Sequence, residues 1–189
     1  MILLIGGNSC TGKTLMSQKL LEQYNMPYFS IDHLKMGLYR SHPNCGFTPL
    51  DDPMYIAKKI WPIVKEMVMT AIENDQNMIV EGCYLFPDMV KEFEGAYLNK
   101  IISVFLGFSS QYIKDNFESS IIKHAGSIES RGPEERPISQ FVSEHDDFRR
   151  RCIDSQVNYF EIIQDYEKEI LKVYNFIDHE IKHRGLLKI

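Results

Sequence analysis

The sequence predicts an α/β fold, a three-layer α/β/α sandwich around a parallel sheet of about five strands. Three observations predict it. Short apolar runs alternate with longer amphipathic stretches along the 189 residues. The first run, residues 1–5, is apolar throughout, as a strand covered by helices on both faces must be. That run ends in two glycines, and a helical pattern follows a few residues later.

Beyond that turn, Leu15, Leu20, Leu21 and Tyr24 fall near helical spacing, which predicts a helix to about Gln23. Residues 27–31 predict a second short strand. Residues 41–52, with prolines, a glycine and two aspartates, predict a surface loop. Asp52 followed by Pro53 predicts a helix start, with Ile56, Ile60, Val64, Met67, Val68 and Ala71 on the apolar face. Pro62 inside that pattern predicts a kink or break near Trp61. Met78–Val80 reads as the next strand, closed by Glu81-Gly82; residues 101–106 read as another, and Lys172–Ile177 as the last. The region between those two is helical, with one interruption at about 125–138, rich in glycine, proline and charge.

Composition bounds the function. The length suits one domain spanning 1–189, and 44% hydrophobic with 25% charged residues is an ordinary globular profile. A net charge of -5 argues against non-specific nucleic-acid binding. No apolar run approaches the ~20 residues that cross a bilayer, and the N-terminus lacks a basic leader. Cys10, Cys45, Cys83 and Cys152 are scattered, without a CxxC pair, which predicts reduced thiols and a cytoplasmic protein.

The sharpest motif is Gly7-Asn8-Ser9-Cys10-Thr11-Gly12-Lys13-Thr14, the GxxxxGK[ST] pattern of a phosphate-binding P-loop. Each part has a task. The glycines let the backbone curl so that consecutive N–H groups face phosphate oxygens. Lys13 brings positive charge to the β and γ phosphates, and the Thr14 hydroxyl ligates the Mg²⁺ that bridges them. The helix that follows aims its positive dipole end at the same anion. The motif predicts a bound nucleoside triphosphate, and which reaction it serves depends on the rest of the chain. No NKxD-type base-reading motif of GTPases occurs, and residues 101–110 carry no acid of the kind that ends the sensing strand of motor ATPases.

With this loop, Asp32 just after the second strand (FSID), a strand ending in IVEG, a charged segment near 125–138 and a terminal YNFID, the chain resembles the P-loop small-molecule and nucleotide kinases. That group includes adenylate and shikimate kinases, and MIVEGCYLFP is similar to the 2-phosphoglycerate-kinase type. The resemblance implies an ATP- and Mg²⁺-dependent phosphotransferase in which 125–138 is an inserted lid. It places Asp32 near the acceptor, where a carboxylate takes the proton from a hydroxyl or holds Mg²⁺ through water; the other role open to Asp32 is a helix N-cap. Glu81, at the carboxyl edge of a parallel sheet, is a candidate for ordering the acceptor or metal-bound water, or is a solvated strand end. Arg40 is a candidate acceptor-binding cation or an exposed helix-terminal residue. In the kinases resembled here, lid arginines close over the triphosphate, which nominates Arg131 and Arg136 as catalytic, with Arg149, Arg150 and Arg151 behind them. Glu134, Glu135, Asp146 and Asp147 are alternative partners for those arginines.

Two functions stay open on this reading: a kinase acting on a nucleotide, nucleoside or phosphorylated metabolite, or a regulatory module that hydrolyses ATP without such an acceptor. The expected partners are the triphosphate and a small-molecule acceptor, not nucleic acid or a membrane. Neither the acceptor, nor ATP over GTP, nor the oligomeric state is legible.

Overall fold

The computed structural model describes residues 1–126, 128 and 136–186. Five strands, β1 (Ile2–Gly7), β2 (Tyr28–Ser30), β3 (Met78–Gly82), β4 (Ile101–Phe108) and β5 (Tyr159–Ile162), form one sheet in the order β2-β3-β1-β4-β5, every pair parallel. The helices are α1 (Lys13–Tyr24), α2 (Ile31–Ser41), α3 (Pro53–Glu73), α4 (Gly95–Leu98), α5 (Ser110–Asn116), α6 (Lys123–Ala125), α7 (Ile138–Ser155) and α8 (Tyr166–Arg184). A 3₁₀ stretch (Pro87–Glu92) follows β3, and a π-helical turn (Phe117–Ile122) joins α5 to α6.

The two-residue period of β1 splits the core into two layers. Ile2 and Leu4 pack with Ile56, Ile60, Val64 and Val68 of α3 and Phe148 and Cys152 of α7. Leu3 and Ile5 face the other way, onto Met16 and Leu20 of α1 and Ile170, Val173, Ile177 and Ile181 of α8. A third cluster lies at the carboxyl end of the sheet, where Phe108 meets Tyr112, Phe117, Ile121 and Phe141. This is the expected α/β/α sandwich. The chain leaves β1 toward β2 on one side and later crosses from β3 to β4 on the other. The carboxyl edge beside β1 is therefore a switch point of the kind where such sheets bind ligands.

The predicted start of α3 is correct: Asp52 accepts a hydrogen bond from Tyr55 N–H at 2.9 Å, with Pro53 in the first turn. Of the kink or break expected near Trp61, the break does not occur, and the helix runs on to Glu73. Pro62 and Lys58, whose carbonyl loses its partner, are both exposed, so the freed acceptor lies on the solvent side of the helix.

The predicted last strand, Lys172–Ile177, is wrong. These residues lie inside α8, where Ile170, Val173, Ile177 and Ile181 recur at helical spacing and are all buried. The fifth strand is Tyr159–Ile162, which the central Glu161 disguised; it pairs with Phe105–Phe108 of β4.

Candidate active site

The P-loop follows from the strand that precedes it. β1 is buried and paired on both edges through Gly6, and it delivers the chain to the carboxyl edge of the sheet. Gly7 has φ 142° and Gly12 φ 86°, conformations glycine adopts without strain. A Cβ on Gly7 would run into the Leu106 carbonyl oxygen, and one on Gly12 into the Tyr166 hydroxyl. Inside the loop the Asn8 carbonyl oxygen accepts from Lys13 Nζ at 2.7 Å and from Thr11 Oγ1 at 2.9 Å. Lys13 is buried, and α1 starts behind it without a side-chain cap, so its first-turn N–H groups keep their capacity for an anion. Buried Asn8 Oδ1 also has no hydrogen-bond partner. A glycine-walled loop, a buried ammonium and an uncapped helix start fit a polyphosphate.

Glu81 reaches this loop. The register pairs it with Ile5 of β1, so the end of β3 sits beside the chain as it enters the loop. Thr14 Oγ1 donates to Glu81 Oε1 at 3.3 Å, and Glu81 is only 2% exposed. A hydroxyl and a carboxylate at this spacing suit Mg²⁺, which takes one or two protein groups and draws its other ligands from phosphates and water. The acid at the loop thus belongs to β3, since β4, the other neighbour of β1, carries none.

Asp32 opens α2 next to the same edge, since Ser30 pairs with Glu81. Its carboxylate accepts from Lys35 Nζ at 3.0 Å, and Lys35 also donates to the Tyr84 hydroxyl at 2.9 Å. Burial works against the Lys35 charge, but Tyr84 and Asp32 together hold its pKa above the ordinary value. Burial, followed by the neighbouring Cys83, pushes the Tyr84 phenol up. Sequence reasoning had not singled out Lys35; its spacing of three from Asp32 was the available signal. Arg40 does not join this group. It lies in the last turn of α2, exposed and about 12 Å along the helix axis from Asp32.

Of the lid candidates, Arg131 falls outside the described residues. Arg136 pairs with Glu144 at 2.6 Å and lies over the Phe141 ring at 5.2 Å. The three α7 arginines diverge as helical spacing requires. Arg149 pairs with Glu161, Arg150 with Asp147, and Arg151 stacks on Phe86 two residues beyond Tyr84. Behind them is His145, which sequence reasoning passed over for want of a motif. The ring is buried against Phe108 (5.4 Å between centroids) and Phe141 (4.9 Å), and Nδ1 accepts from Phe108 N–H at 3.0 Å. Burial first, then the charges of Lys13 and Arg136, lower its pKa to about 3, so the ring is neutral.

A cavity of about 540 Å³ runs from the loop, at Gly12–Leu15, to a wall of Phe108, Tyr112, His124 and Tyr166. Nothing in the sequence marks it, because its walls come from segments about a hundred or more residues beyond the loop.

No protein-family model matches the chain, and no curated protein matches its sequence. Among solved structures, the fold is similar to shikimate kinase from Aquifex aeolicus, with TM-score 0.56, 16% identity, and 94% of this chain and 96% of that one covered. It is similar to a sugar kinase from Janibacter sp., with TM-score 0.55 at 12% identity over 94% of each chain. Shikimate kinase from Bacteroides thetaiotaomicron gives TM-score 0.55 at 12% identity, covering 94% and 98%. The chain has the fold of the P-loop kinases. No described helix is long and apolar enough to cross a membrane.

Proposed function

We propose that the protein is a kinase that moves the γ-phosphoryl group of ATP to a small-molecule acceptor: a nucleotide, a nucleoside or a phosphorylated metabolite. The observation that carries this reading is one sheet edge holding the P-loop, the Thr14–Glu81 contact and the Asp32–Lys35–Tyr84 cluster side by side. On this reading the loop amides and Lys13 bind the β and γ phosphates, with Thr14 and Glu81 holding the cation. Mg²⁺, when bound, neutralises charge on the transferring group. Asp32 accepts the proton of the acceptor hydroxyl as the new P–O bond forms and the bond to the β-phosphate oxygen breaks. Lys35 keeps that carboxylate oriented, and Arg136, with Arg131, supplies positive charge from the lid at about 125–138. The cavity beyond the loop takes the base against Phe108, Tyr112 and Tyr166. The chain acts as one cytoplasmic domain, and it finds its acceptor at the edge between Asp32 and Arg151 while Arg40 stays outside.

The fold neighbours, named as kinases of small molecules, support this reading over a regulatory ATPase module. So does the hydrogen-bonded polar cluster beside the loop, where a docking module calls for an exposed apolar patch. The test is ATP consumption with a panel of nucleosides, nucleoside monophosphates and small hydroxylated metabolites. At least one acceptor should raise turnover well above background hydrolysis; a flat panel would refute the proposal.

A further inference from the structure

Tyr166 opens α8 directly after Asp165, which caps that helix by accepting from Lys168 N–H at 3.2 Å. Its ring is a wall of the 540 Å³ cavity, 6.4 Å from the Phe108 ring between centroids. Its hydroxyl reaches the P-loop itself. The group donates to the Thr11 carbonyl oxygen at 3.4 Å and fills the space that a side chain at Gly12 would need. Burial pushes this phenol up, so it stays protonated and remains a donor.

The bond has a consequence for the other end of the same peptide group. A trans peptide is planar, so the carbonyl of Thr11 and the N–H of Gly12 point in opposite directions. Holding that carbonyl toward Tyr166 holds the Gly12 N–H on the far side. Thr11 is otherwise fixed by its own hydroxyl, which donates to the Asn8 carbonyl at 2.9 Å, and its side chain is fully buried. One end of this peptide is thus set by the loop and the other by α8.

We infer that Tyr166 is a positioning residue that couples the two ends of the nucleotide site: a nucleoside packed on its ring strengthens phosphate binding in the loop. The inference rests on the reading of Gly7–Thr14 as the triphosphate site. A base against the ring restricts its side-chain torsions and keeps the hydroxyl on Thr11, which keeps the Gly12 N–H in place. The coupling is reciprocal, so phosphate in the loop must tighten nucleoside binding by the same factor. For one neutral hydrogen bond that factor is about fivefold.

The test is the affinity of the full chain for magnesium pyrophosphate, by calorimetry, with and without saturating adenosine, and separately guanosine. In the wild type, one nucleoside should tighten pyrophosphate binding about fivefold. Tyr166→Phe keeps the ring and removes the hydroxyl, so pyrophosphate should bind it equally well with and without that nucleoside. A wild type in which neither nucleoside changes pyrophosphate affinity overturns the inference, as does an undiminished enhancement in Tyr166→Phe. A wild type that binds neither MgATP nor pyrophosphate removes the triphosphate site itself. MgATP binding without coupling removes only the role given to Tyr166.

Discussion

Acidification from about pH 7 to about pH 5 should destabilise the protein through His145, and the size of the effect follows from where that ring sits. The ring is 2% exposed between Phe108 and Phe141, and its pKa falls from 6.5 to about 3 through burial first and then the charges of Lys13 and Arg136. The unfolded chain binds a proton below about pH 6.5 that the folded chain refuses. The contribution is therefore fully present above that pH and is lost as pH falls toward the folded value near 3. For one such group the loss between pH 7 and pH 5 is about 2 kcal/mol, or roughly 4–8 °C in Tm for a chain of this size. The assay is urea unfolding at both pH values for wild type and His145→Gln. Glutamine does not titrate, and it keeps an acceptor for the Phe108 N–H. The variant loses stability at both pH values, but its difference between them should be smaller than that of wild type by about 2 kcal/mol. Equal pH differences, within about 0.5 kcal/mol, would refute the reasoning and show that water reaches the ring.

Other substitutions test the site and the fold. Lys13→Ala should abolish phosphoryl transfer while near-UV and far-UV circular dichroism stay native; retained turnover sinks the chemistry assigned to the loop. Glu81→Gln should raise the Mg²⁺ concentration for half-maximal activity by about tenfold, and an unchanged magnesium titration removes Glu81 from the metal's surroundings. Ile177→Ala, on the buried face of α8, should cost about 2–4 kcal/mol in thermal or urea unfolding, whereas Leu171→Ala on its exposed face should cost under about 0.5.

The parts of this protein legible in its sequence are those set by local rules. Residues 1–14 carry their own strand, glycines and lysine, so the loop is read without knowledge of anything that packs on it. Asp52 and Pro53 announce α3 for the same reason. The misreading at residues 172–177 has a physical source. Val173, Phe176 and Ile177 satisfy strand propensity over six residues, and only a window extended to Ile170 and Ile181 reveals the helical period. Pro62 misled because the cost of an interior proline depends on whether water reaches the freed carbonyl, which the sequence does not state. Glu81 and Asp32 were found as strand-end acids, but the Thr14–Glu81 contact depends on β3 lying beside β1, and strand order is a tertiary fact. His145, Lys35 and Tyr166 act through neighbours on other elements, so no motif contains them.

The placement of β1 between β3 and β4 also governs how the protein comes to be folded. Ile2 waits for Met78 on one edge and Ile101 on the other, and the layer against Leu3 and Ile5 is complete only when α8 joins α1. Every pairing in the sheet is non-local, so loop-closure entropy comes due before any strand contact offsets it, a topology that slows folding. Until β4 arrives, the central strand of the sheet has an open edge. On a ribosome that interval lasts for the synthesis of about a hundred residues, several seconds at typical rates. The phosphate loop, complete in sequence by Thr14, therefore has its two glycines enclosed only when Leu106 and Tyr166, from far later in the chain, are in place.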